Sequence, residues 1–344
     1  MNSVKFFLPT VCFVISFISC QQPMNRGNDG ETGDSVRRTT ITYAVLPTDT
    51  LLMDIYEAVE SDGVRQPVLL YAHGGGWSAG SRKNAAQEMF CRHIASQGLK
   101  AVAIDWRLGL AEVNRYGVQS IADAVRLGTE DLVTATNYLL SHADSLRVDS
   151  TAIILCGGSA GAINVLTLVH DMSMGEPYTH SLPEGFRYAG LISHTGAVCM
   201  TSADALQWPS RPCPMLLFHG SDDRIVPLDD GEIWGTRHVG TEAIGRTLTE
   251  AQVPHWVFIE HGADHIVAMK ELTNHLAETD EFIRDFVLGN ATAAVRTDWK
   301  LATPEDMATP EHMARFVPYY IYGFGKYIEE MDSLPTAAPE HIVY

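Results

Sequence analysis

Apolar and polar positions follow two regimes along this chain. Over 39–45 and 52–59 they alternate with period two, as in Leu52-Met53-Asp54-Ile55-Tyr56. That pattern predicts two half-buried strands, paired antiparallel around residues 47–50. Later runs are continuously apolar: 67–72, 101–104, 151–155, 189–193, 215–218 and 255–259. Short continuous runs rich in Val, Ile and Leu predict strands buried on both faces. Between them the period becomes helical. Ala86, Met89, Phe90 and Ile94 share a face over 84–97, and Ile121, Val125, Leu132, Ala135 and Leu139 share one over 118–140. Further helices are expected over 162–169, within 231–250 and over 267–287. Strands alternating with helices predict an α/β fold: a mostly parallel eight-stranded sheet flanked by helices, with its first two strands as an antiparallel edge.

Both ends of the chain fall outside this alternation. Lys5 precedes an apolar run over 6–19, which is shorter than the roughly 20 residues that span a bilayer as a helix. The run ends in Phe17-Ile18-Ser19-Cys20, which resembles the lipobox of bacterial lipoproteins. The resemblance implies cleavage before Cys20, lipid on Cys20, and an exported protein anchored in the bacterial cell envelope, periplasmic or on the outer surface. Polar residues with Gly27, Gly30 and Gly33 follow, as in a flexible tether. The expected organisation is therefore a signal peptide over 1–19, a tether over 20–37, an α/β domain over 38–289 and a C-terminal extension over 290–344. Pro304, Pro310, Pro318, Pro335 and Pro339 exclude one long helix in that extension. Its aromatic residues, Phe316 to Tyr327, are expected to pack on the domain.

Composition narrows the partners. With 42 acidic and 24 basic residues the net charge is −18, which argues against nucleic acid and against an anionic membrane surface. Membrane contact is expected through the lipid alone. Cys91, Cys156, Cys199 and Cys213 show no metal-like spacing and are expected as free, mostly buried thiols.

The chemistry gathers at strand ends. Cys156-Gly157-Gly158-Ser159-Ala160-Gly161 lies between the run at 151–155 and the helical pattern at 162–169. A strand, a Gly-x-Ser-x-Gly turn and a helix present a serine on a sharp turn, and the helix N-terminus favours negative charge beside it. His73-Gly74-Gly75-Gly76-Trp77 follows the run at 67–72, and its glycines let backbone N–H groups approach a substrate. A serine hydroxyl also needs a base and a group to orient that base. Asp222 or Asp223 follows the run at 215–218, and His261 or His265 follows the run at 255–259. A metal pair of His261 and His265 is set aside, because Gly262 and the position after a strand remove the helical geometry it needs.

Together these motifs resemble the α/β-hydrolase fold in its esterase/lipase branch with the HGGG oxyanion loop, over roughly 38–288. The resemblance implies Ser159 as nucleophile, His265 as general base and Asp223 as the acid, which stands four residues before Pro227. It implies Gly75, Gly76 and Ala160 as oxyanion N–H donors, and Asp131 in a supporting role. Gly158 departs from the aspartate usual in the hormone-sensitive-lipase-like group, and the short segment between Val169 and Tyr188 leaves room for a small cap only. The activity implied is hydrolysis of short acyl or aryl esters, with acetyl or feruloyl groups on polysaccharide as candidates, and with no metal or organic cofactor. A serine peptidase or an arylformamidase of the same fold, or a catalytically silent binding module, are the rival readings.

Overall fold

The chain's strands and helices alternate as the hydrophobic pattern requires, in a computed structural model that describes residues 35–59 and 63–300. The expected leader with Cys20, most of the expected tether and the aromatic run from Phe316 lie outside the described residues. In chain order the elements are β1 (Val36–Val45), β2 (Thr50–Ala58), β3 (Gln66–Ala72), α1 (Ala85–Ser96), β4 (Lys100–Ile104), α2 (Val113–Tyr116) and α3 (Ile121–Ser141). Then come α4 (Ala143–Leu146), β5 (Val148–Gly158), α5 (Ala160–Met174), β6 (Gly190–His194), β7 (Ala197–Met200), β8 (Met215–Gly220), β9 (Asp230–Ile233) and β10 (Thr236–Gly240). The last described elements are α6 (Thr241–Glu250), β11 (His255–His261), α7 (Val267–Lys270), α8 (Leu276–Glu281) and β12 (Ala294–Lys300).

The main sheet runs β1-β2-β4-β3-β5-β6-β8-β11-β12, with β1 and β2 antiparallel and the strands from β4 onward parallel. Each continuous apolar run feeds two cores. On β3, Val68, Leu70 and Ala72 pack with the core beneath α3 and α5, while Leu69 and Tyr71 pack with Phe90 and Ile94 of α1. The helices begin where polar caps allow. Asn84 Oδ1 accepts the Ala86 and Gln87 N–H groups at 2.9 and 3.3 Å, and Ser120 Oγ accepts that of Asp123 at 3.2 Å.

Three expectations change. The sheet has nine strands rather than eight: β12, from the segment expected as extension, pairs parallel with β11, and Trp256 Nε1 donates to Thr297 Oγ1 across them at 2.9 Å. The domain also begins earlier than residue 38, since β1 starts at the buried Val36. The helix expected within 231–250 is α6, over Thr241–Glu250, and residues 231–240 lie before it. They complete the hairpin β9–β10, whose two loop residues Trp234 and Gly235 both have positive φ (46° and 76°), the signature of a type I′ turn. This hairpin joins β7 in a second, three-stranded sheet. The helix expected over 267–287 is broken into α7, a turn, α8 and a π-helical stretch, Phe282–Val287. The segment expected as a small cap amounts to a 3-10 turn, Pro177–Ser181, packed against α3 and α5. All four described cysteines are free thiols.

Candidate active site

The turn between β5 and α5 places Ser159 at the carboxyl end of the sheet with φ 51° and ψ −120°. A non-glycine residue there carries strain of about 1–3 kcal/mol. The neighbours must be small for it to be held. A Cβ on Gly161 would lie 2.1 Å from the Ala72 carbonyl oxygen, and one on Gly157 would lie 2.5 Å from Gly161 backbone atoms. The Ser159 N–H donates to the His194 carbonyl at 2.9 Å, tying the turn to β6.

The loop after β11 brings His265 to this serine. Its Nε2 is 2.9 Å from Ser159 Oγ, and its Nδ1 is 2.8 Å from Asp223 Oδ2. The Asp223 side chain is 0% exposed. Its other oxygen accepts the Ile225 and Val226 N–H groups at 2.8 and 3.0 Å. Burial opposes ionisation of Asp223. The His265 charge and hydrogen bond, the nearby His219 and the Ile225 N–H outweigh burial and hold the carboxyl below its usual range. Asp222 is exposed and accepts from Ser221 Oγ, while His261 is exposed and pairs with Asp298 at 2.8 Å. Of the two residue pairs left open by the sequence, the geometry thus brings Asp223 and His265 to Ser159, and not Asp222 and His261.

The glycine loop lies beside the serine. A Cβ on Gly74 would be 3.2 Å from Ser159 Cβ. Gly75 and Gly76 have φ of 119° and 59°, and the Gly75 carbonyl accepts from Ala79 N–H at 3.1 Å. Ala160 is the first residue of α5. Three contacts fix this loop. Trp77 Nε1 donates to the buried Asn164 Oδ1 of α5 at 2.9 Å. His73 stacks on Trp106 with ring centroids 5.0 Å apart. Arg82 joins Asp54 of β2 at 3.1 Å and also binds Asp105. Asp131 acts one step further out: its carboxylate accepts the Arg107 backbone N–H at 2.7 Å and Nε at 2.9 Å, anchoring the loop that carries Trp106.

A pocket of about 680 Å³, solvent at its mouth included, opens at Ser159 between α1 and α7. Beyond the serine and the glycine loop its walls are Tyr71, Asn84, Gln87, Ala268, Met269 and Leu272. These wall residues were not legible as a group, because their separations in sequence carry no pattern. Gly158 belongs to the same wall. A Cβ there would meet the Ala268 carbonyl oxygen at 2.7 Å and the Tyr71 hydroxyl at 3.1 Å, so α7 fills the space an aspartate would need. His219 also escaped the sequence reading as a site residue. Buried at the end of β8, it bonds Thr241 Oγ1 through Nδ1 at 2.9 Å and donates to the Val226 carbonyl through Nε2 at 3.2 Å, which lies 3.6 Å from Asp223 Oδ2. Burial lowers its affinity for a proton.

Comparison with known proteins agrees with this geometry. A family model described as BD-FAE matches residues 53–173, which include the glycine loop and the Ser159 turn. The chain is similar, at 27% identity over 164 residues, to gut esterase 1 of Caenorhabditis elegans, covering 48% of this chain and 26% of that protein. It is similar at 27% over 151 residues to esterase LipC of Mycobacterium tuberculosis, covering 44% and 34% respectively. The matches therefore span about a quarter to a third of those relatives. Among solved structures, an esterase from Thermogutta terrifontis aligns with a TM-score of 0.55 and 22% identity over 73% of this chain and 93% of that one. Structures of that esterase include propionate-bound and butyrate-bound forms and one phosphorylated by paraoxon. The chain has the α/β-hydrolase fold.

Proposed function

We propose that this protein is a serine carboxylic-ester hydrolase working through Ser159, His265 and Asp223. The observation that carries the reading is the unbroken relay from Ser159 Oγ through the His265 ring to a buried carboxylate, built on a strained turn. His265 Nε2 takes the serine proton as Oγ attacks the ester carbonyl, and Asp223 holds the ring with Nδ1–H toward itself. The N–H groups of Gly75, Gly76 and Ala160 receive the oxyanion; each such donor contributes about 3–4 kcal/mol in related sites. His265 then protonates the leaving alcohol. Water hydrolyses the acyl-enzyme by the same steps in reverse.

The pocket walls support short acyl or aryl groups, since Tyr71, Met269 and Leu272 offer apolar surface close to the serine. The propionate- and butyrate-bound forms of the Thermogutta esterase agree with small acyl groups. Acetyl or feruloyl groups on polysaccharide are the natural candidates for an exported enzyme anchored through Cys20. A fluorophosphonate probe tests the mechanism: one label per chain is expected on Ser159 and none in Ser159→Ala. Wild-type protein that takes no label would make the chain a binding module. A panel of p-nitrophenyl esters, acetylated xylan, methyl ferulate and an aminoacyl anilide then separates esterase from peptidase.

A further inference from the structure

Behind the His265 loop, three ionisable side chains converge in the interior. Glu260 is the penultimate residue of β11, Glu271 follows α7 directly, and His275 directly precedes α8. All three are buried, and one ligand-type atom from each lies within 4.8 Å of the others. His275 Nε2 is 3.5 Å from Glu271 Oε2 and 4.0 Å from Glu260 Oε1. Among the described residues, neither oxygen of Glu271 and not Oε2 of Glu260 has a hydrogen-bond partner. Lys270 Nζ stands 2.8 Å from Glu260 Oε1, and Glu278 faces the far side of the imidazole, 3.3 Å from Nδ1. Three carboxylates thus surround one lysine and one histidine. Phe258 packs on the His275 ring at 4.5 Å and Trp299 at 5.3 Å, so the surroundings are apolar.

We propose that Glu260, Glu271 and His275 bind a divalent transition-metal ion of the zinc class, which braces the segment after His265 against β11. The spacing suits such an ion. Zinc takes imidazole nitrogen and carboxylate oxygen at about 2.0–2.2 Å, so ligand atoms around a tetrahedral ion lie about 3.4 Å apart; the 3.5 Å from His275 Nε2 to Glu271 matches this, and the 4.0 Å to Glu260 would close slightly around the ion. The imidazole is oriented for the role as well. With Nδ1–H turned to Glu278, its Nε2 lone pair faces Glu271, whose oxygens have no hydrogen-bond partner among the described residues, and an ion between them would engage both. A carboxylate behind a metal-binding histidine is the usual supporting arrangement. A shared proton is the competing arrangement: burial, with the charge of Glu260, raises the Glu271 carboxyl to about 9. Of the two Glu260 oxygens, Lys270 engages Oε1; a divalent ion would engage the free Glu260 Oε2, Glu271 and the His275 Nε2 together. The ion would tie the end of β11 to residues 266–275, which include the pocket walls Met269 and Leu272.

The test uses the full chain, stripped with a chelator, dialysed and titrated with zinc chloride. Bound zinc is counted by elemental mass spectrometry, and the unfolding midpoint is followed in parallel. Wild type is expected to hold about one zinc per chain, and its midpoint should rise by about 5 °C or more at a hundredfold excess over Kd. Glu271→Gln and His275→Gln are each expected to weaken binding at least tenfold and remove the shift, with His261→Ala unchanged. If Glu271→Gln fails to fold, His275→Gln decides. Wild type that holds no zinc, or zinc held equally by both variants, overturns the site.

Discussion

Asp223 is kept charged by its surroundings. Burial works against the carboxylate, and the His265 charge, its hydrogen bond and the neighbouring N–H groups outweigh that effect, so the folded-state pKa is depressed. A depressed carboxyl contributes stability above its unfolded value, about 3.9, and the contribution is lost as pH falls through the folded value. The stability of wild type relative to Asp223→Asn is therefore expected to fall as pH drops below about 4. Urea unfolding at a series of pH values reads this directly. A difference that stays constant into strong acid would show that the carboxylate is not held in this way. The same variant should lose roughly 10³–10⁴-fold in turnover, because an amide cannot hold the imidazole in the required tautomer. At this scale the sequence was informative because Ser159, Asp223 and His265 each follow a continuous apolar run that marks a strand end. Burial separates Asp223 from Asp222 and His265 from His261, and adjacent carboxylates or two histidines in one loop carry no sequence signal for it.

Among the elements, α7 has the largest consequence for the pocket. Its Ala268 carbonyl sits where a side chain at position 158 would go. Gly158→Ala is expected to push α7 outward, moving Met269 in the pocket wall and the loop that holds His265. We expect a destabilisation of about 1–3 kcal/mol from overpacking and at least a tenfold loss in kcat, measured by thermal unfolding and ester turnover. Unchanged values for both would mean that α7 moves freely and does not set the pocket. The helical pattern over 267–287 does not disclose α7 as a separate turn, because Leu272, Leu276, Ile283 and Val287 would share one apolar face of an unbroken helix. The hairpin at 231–240 is hidden in the sequence for a different reason. Its Trp234-Gly235 turn is rare chemistry for a type I′ loop, where Asn-Gly is the usual signal. Strand β12 carries a period-two signal, with Val295 and Thr297 facing in, but it is short and lies next to a stretch with Pro304, Pro310 and Pro318 that has no strand or helix pattern.

For the molecule as a whole, net charge and the anchoring proposed at Cys20 act in opposite directions. A net charge of −18 repels anionic headgroups, whereas surface attachment through basic residues gains about 1 kcal/mol for each one near the membrane. Among the described residues no helix is long and apolar enough to cross a membrane. The retention at the envelope proposed here rests on acyl chains at Cys20. Each buried CH₂ contributes about 0.8 kcal/mol and a single chain holds only marginally, so the lipobox-like stretch at 17–20 matters because a lipoprotein terminus carries several chains. Expressed in a bacterium with its own leader, the wild-type chain is expected in the membrane fraction and to stay there in high salt, which screens charge but not acyl insertion. Cys20→Ala should move it to the soluble fraction with esterase turnover intact, since Cys20 lies well before the domain that holds Ser159. Release of the wild type by salt alone, or unchanged retention of Cys20→Ala, would place the attachment somewhere other than this cysteine.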